Sequence, residues 1–154
     1  MRRTRIVMAA LLLLLPLLCS AQKGLFEKFG DMKDVTSVYI SKTMIESNAY
    51  LHTSDVFIGK VKGQLNSVQT MSSMNEEVIK QMRKEYQSLL QSSKYKLLMK
   101  QKNTTKNATF YMRKSGDVVK ELIMIEDGKA KFKVVYLEGD MTLKDIQQIM
   151  MFQS

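Results

Sequence analysis

The chain has 154 residues and a formal charge of +9, from 24 Lys/Arg against 15 Asp/Glu, with one histidine, one cysteine and one proline. A lone cysteine excludes an intramolecular disulfide framework, and a lone histidine excludes metal centres built on several imidazoles. An apolar share of 45% beside a charged share of 25% suits a chain that buries a core.

The N-terminus reads as an address. Arg2, Arg3 and Arg5 lead an almost unbroken apolar run over residues 6–18, and Cys19-Ser20-Ala21 supplies small residues at a junction before Gln22. This is the build of a secretory signal peptide, too short for an ordinary membrane-spanning helix and interrupted by Pro16. Residues 1–21 are therefore expected to direct export, to the periplasm or outer envelope or out of the cell, and residues 22–154 to form a single domain. Lipidation at Cys19 is the weaker alternative, because that processing favours a small residue where Leu18 stands. The remaining 133 residues carry +6 and no cysteine, so the domain must be held by its core.

Leu25, Phe26, Phe29 and Met32 recur at helical spacing and predict a short amphipathic helix. Residues 35–40 are β-branched and aromatic enough for a strand, after which Met44 and Ile45 return to a helical pattern. Residues 47–55 are polar and predict a loop. Asp55 is placed to cap a helix carrying Phe57, Ile58, Val61 and Leu65 on one stripe, weakened by Gly59 and Gly63. Residues 66–74 predict a second strand. The clearest helix covers residues 75–91: Asn75 caps it, Glu76 and Glu77 sit in its positive first turn, and Val78, Ile79, Met82, Tyr86, Leu89 and Leu90 make the buried stripe.

Beyond it the period falls to two. Tyr95, Leu97 and Met99 alternate with Lys94, Lys96 and Lys100; Phe110 and Met112 with Tyr111 and Arg113; Phe132, Val134 and Tyr136 with Lys131 and Lys133. Turns are expected at residues 103–107, at Ser115-Gly116-Asp117 and at Asp127-Gly128, and residues 118–125 form the most apolar strand. Thr142 with Asp145 three residues later is a capping box for a closing helix that buries Leu143, Ile146, Ile149 and Met150. The expected fold is α+β: a mostly antiparallel sheet with a four-stranded C-terminal meander, and helices packed on one face.

That arrangement leaves the other face to water, and residues 94–133 hold eleven Lys/Arg against four Asp/Glu. A basic sheet face of Lys96, Lys100, Arg113, Lys131 and Lys133 is thus the expected contact surface, with an envelope protein, anionic lipid or glycan as partner. Nucleic acid is excluded by the leader, and the same lysines also guard sheet edges. No catalytic set is legible. His52 has only Asp55 at ligand spacing, which leaves a metal without its third and fourth ligands, and Glu76 and Glu77 serve the helix dipole. There is no Gly-x-Ser-x-Gly elbow. Asn103 and Asn107 match the N-glycosylation pattern, a short and common one. Of the methionines, Met71, Met74, Met82, Met99, Met112 and Met124 follow the core-facing periods. No cofactor or metal is expected.

Taken in order, residues 26–45 (FEKFGDMKDVTSVYISKTMI), 75–90 (NEEVIKQMRKEYQSLL), 109–114 (TFYMRK), 119–125 (VKELIMI) and 143–149 (LKDIQQI) resemble a family of small exported Bacteroidetes proteins, domain of unknown function 4252. The resemblance covers nearly all of the chain after the leader. It implies a bacterial envelope protein and brings no activity, cofactor or catalytic residue to these positions. The expectation is a non-catalytic binding module; the alternative is a carrier or sensor holding an apolar ligand between helices and sheet, lined by Met and Phe.

Overall fold

The computed structural model describes residues 21–47, 52–53, 56–57, 64–92, 95–102, 104 and 106–151. The leader before Ala21 and most of the polar stretch after Ser47 lie outside the described residues. Helix α1 (Ala21–Gly30) precedes strand β1 (Val35–Ser41) and helix α2 (Lys42–Ser47). A two-stranded ribbon of β2 (His52–Thr53) and β3 (Val56–Phe57) follows, then β4 (Leu65–Ser73) and helix α3 (Glu76–Ser92). Strands β5 (Lys96–Lys102), β6 (Lys106–Ser115), β7 (Val118–Gly128) and β8 (Phe132–Met141) lead to the closing helix α4 (Leu143–Met151).

Six strands form one antiparallel sheet in the order β1-β4-β8-β7-β6-β5, so the C-terminal meander is laid down in sequence order against β4. The expectation of helices on one face is corrected by the core. Residues 132–137 of β8 are buried consecutively, and Leu122 and Ile123 of β7 are both buried, so both faces of the central strands need cover. Phe132, Val134, Tyr136 and Ile123 pack with Phe29 of α1 and with Val78, Ile79, Met82, Tyr86 and Leu89 of α3. Val135, Leu137, Leu122 and Met124 pack on the opposite side with Ile45 of α2 and Ile146 and Ile149 of α4.

Local chemistry explains the ends. Asn75 Oδ1 accepts from the backbone N–H of Glu77 and Val78 at 3.0 and 3.2 Å, capping α3. Thr142 and Asp145 exchange bonds, Asp145 N–H to Thr142 Oγ1 at 3.2 Å and Thr142 N–H to Asp145 Oδ2 at 2.7 Å, which closes the capping box of α4. Gly116 turns β6 into β7 with φ of 59°, where a side chain would be strained.

Several expectations move. Val56 and Phe57 are in a strand and Leu65 opens β4, so the helix expected after Asp55 is absent at the described positions. The β7–β8 reversal falls at residues 129–130, closed by Gly128 N–H to Lys131 O at 2.9 Å, two residues beyond the Asp127-Gly128 signal. Met74 and Leu143 are exposed, whereas Met71, Met82 and Met124 are buried.

Candidate functional site

The five basic residues expected on one face are divided between two. A bulge between Leu97 and Met99 breaks the alternation of β5, so Lys96 lies opposite Met112 while Lys100 lies opposite Thr109, on the α3 side. Arg113 is on the α3 side too, where its guanidinium donates to Glu121. Lys131 and Lys133 line a cleft of about 690 Å³ on the other side, with Thr36, Val38, Thr70 and Ser72. Lys133 is 7% exposed. A period-two reading pointed it to water, but β8 is buried on both faces and has no water side over most of its length.

Toward the ends of β7 and β8 near Tyr95, the α3 side holds a polar row. Glu121 is buried and accepts from both the Tyr95 hydroxyl and Arg113. Its register neighbour on β8 is Glu138, whose Oε2 accepts from Ser67 Oγ at 3.4 Å. Burial first and the Glu121 carboxylate second push the Tyr95 hydroxyl well above the ordinary phenol range. Burial and the same carboxylate push up Tyr136 likewise. Gln69 lies beside Tyr136 in the register, and its Oε1 is buried without a hydrogen-bond partner among the described residues. Every acidic group in this row is matched by a donor, which is the arrangement of a structural network.

A second cleft lies at the other end of the same face. Helix α3 leaves β5 and β6 partly uncovered, and a cleft of about 590 Å³ opens between its C-terminal half and strands β5 to β7. Exposed Lys100, Lys102, Gln87, Gln91 and Asn107 line it, above half-buried Tyr111, Leu90 and Ile125. Arg83 closes one end. Its Nε and Nη2 donate to the two carboxylate oxygens of Asp127 at 2.9 and 2.7 Å, and that carboxylate raises the guanidinium pKa. Lys100 and Lys102 form no ion pair among the described residues, so their charge faces the cleft unneutralised.

Sequence periodicity put Lys100 and Tyr111 on a common face and missed the amide side chains of this lining. Gln87 and Gln91 are one turn apart on the flank of α3, a spacing that was available to see. What was not available was which strands that flank overhangs. His52 is in β2 opposite Phe57. Among the described residues, no three His, Cys, Asp or Glu side chains converge on a metal-sized site, and no helix is long and apolar enough to cross a membrane.

The molecule is thus an α+β module with a six-stranded antiparallel sheet, helical residues buried on both of its faces and an open, partly basic cleft beside α3. The chain belongs to the family described as domain of unknown function (DUF4252), whose model matches residues 26–149, from within α1 to within α4. No curated protein and no solved structure matches it.

Proposed function

We propose that the protein is a non-catalytic binding module, exported to the cell envelope by its leader, that holds an acidic glycan chain in the α3 cleft. The lining carries the reading: Lys100 and Lys102, without an ion pair among the described residues, beside amide side chains and the half-buried Tyr111 ring. Amides donate and accept together, which suits sugar hydroxyls; a tyrosine ring offers an apolar face to a sugar's C–H surface; lysines attract carboxylate or sulfate groups. This narrows the basic contact surface to Lys100 and its neighbours and separates it from Lys96, Arg113, Lys131 and Lys133.

Retention on alginate beads, against neutral agarose beads, tests it. The chain should bind alginate, bind less as salt is added, and lose roughly thirtyfold in affinity in Lys100→Gln/Lys102→Gln, taking each lysine–anion contact as about 1 kcal/mol. The melting temperature should stay put, since both side chains are exposed. Equal retention of the double variant overturns the reading. The carrier reading draws on the apolar floor of the same cleft, Leu90, Ile125 and Phe132, and requires a lipid that stays bound in native mass spectrometry.

A further inference from the structure

The sheet has two free edges, and they are built differently. Strand β5 has Lys96, Lys100 and Lys102 among its seven residues. Laid antiparallel against a copy of itself about Met99, it would set Lys96 opposite Lys102 twice, and like charges directly opposite repel. Strand β1 has the sequence VTSVYIS, without one charge, proline or glycine. Its burial pattern shows four consecutive exposed residues, and among the described residues nothing pairs with its outer edge. Val38 is 45% exposed and Tyr39 58% exposed, adjacent residues that leave apolar surface in water on both faces of the same edge.

We propose that β1 is a dimerisation edge, and that its partner is β1 of a second copy, paired antiparallel about a twofold axis at Val38. This register follows from charge. With Val38 opposite Val38, Thr36 meets Ile40, Ser37 meets Tyr39, and Asp34 at one end meets Lys42 at the other, so each interface holds two Asp34–Lys42 pairs. Asp34 already has φ of 67° and Lys42 opens α2, so both flank the strand where the chain leaves the sheet. The exposed halves of Val38 and Tyr39 acquire cross-strand neighbours, and the strand's unpaired backbone groups acquire partners. Because the opposite edge of the sheet is the lysine-bearing β5, the assembly closes at two. Two six-stranded sheets become one sheet whose ends are both lysine-bearing β5 strands.

Cross-linking decides the register. In the full chain carrying Cys19→Ser, which leaves no other cysteine, Val38→Cys should give a disulfide-linked dimer under mild oxidation. Directly opposed antiparallel residues have Cα atoms about 4.5–5.5 Å apart, within disulfide reach. Thr36→Cys should not cross-link, because two such residues are offset by four positions along the strands. By analytical ultracentrifugation at micromolar concentration the unmodified chain should be a dimer. Val38→Lys, which sets two ammonium groups face to face at the axis, should be a monomer with unchanged far-UV circular dichroism. Lys42→Glu should weaken dimerisation by roughly tenfold, since two opposite-charge pairs become like-charge pairs. A monomeric parent chain, a dimer that survives Val38→Lys, or stronger cross-linking at Thr36→Cys than at Val38→Cys overturns the proposal.

Discussion

The two faces of the sheet are closed by different means. The face under α2 and α4 is aliphatic and sulfur-rich: Val68, Leu122, Met124, Val135, Leu137 and Met141 meet Ile146 and Ile149, with Phe110 the one buried ring. The face under α3 is aromatic and mixed: Phe29, Tyr86, Phe132 and Tyr136 share it with the Glu121–Arg113–Tyr95 network and the cleft. The aliphatic face closes its centre by apolar area and leaves the Lys131–Lys133 cleft toward β1. The other trades some of that area for hydrogen-bonded polar groups and for the cleft beside α3.

The largest effect should come from the aliphatic face. A Cβ on Gly139 would lie 2.0 Å from the backbone oxygen of Gln64, and backbone cannot swing aside as a side chain does. Gly139→Ala should therefore break the end of the β4–β8 pairing, where the register is already shifted by a bulge, at a cost of about 3 kcal/mol or more in urea unfolding. Next come Leu122→Ala and Ile123→Ala, neighbours on one strand that point to opposite faces and are both essentially buried. Each should lose about 2–5 kcal/mol. A markedly smaller loss for Ile123→Ala would mean that the α3 face is a loose cover.

Alkali should separate the faces without any mutation. Tyr95 and Tyr136 have folded-state pKa values raised above the ordinary phenol value of about 10, so the protonated hydroxyl is the form the fold prefers. Their contribution is complete below pH ~10 and is lost as pH rises beyond it, because the unfolded chain ionises first. Stability should fall above pH ~10, and more gently in Tyr95→Phe, when unfolding midpoints are followed against pH. The buried apolar cluster of the aliphatic face includes no tyrosine. Smallest and most even should be the caps: Asn75→Ala for α3 and Thr142→Ala for α4 should each cost about 1 kcal/mol by thermal unfolding. Unequal losses would mark the helix on which its face depends more.

Much of this division was legible as elements and little of it as arrangement. The Asn75 cap, the stripe through Met82 and Tyr86, the Thr142–Asp145 box and the meander are written within a few residues of themselves, and they stand where local chemistry puts them. The two-sided cover was concealed by runs such as residues 132–137. Alternation was read there from Lys131 and Lys133, while Val135 and Leu137 were already announcing a second buried face. A one-residue bulge after Leu97 put Lys96 and Lys100 on opposite faces, and Phe132 and Val134 face the layer opposite to that of Phe110, which carries Lys131 and Lys133 away from Arg113. The cleft depends on how far α3 reaches across β5 and β6, a tertiary distance that no spacing along the chain encodes.

The seam between β4 and β8 also sets an order of events. Ser67 and Glu138, joined across it, are 71 residues apart, and strands β5, β6 and β7 are synthesised between them. A chain growing from its N-terminus has β1 and β4 ready as a hairpin-like pair, with β4's inner edge and its Val68 and Met71 side chains waiting for a strand that arrives last. The meander zips from short loops; the seam needs a long one, and closing it should be the slow, rate-setting event of folding. Until it closes, β4 is an apolar template for any passing strand.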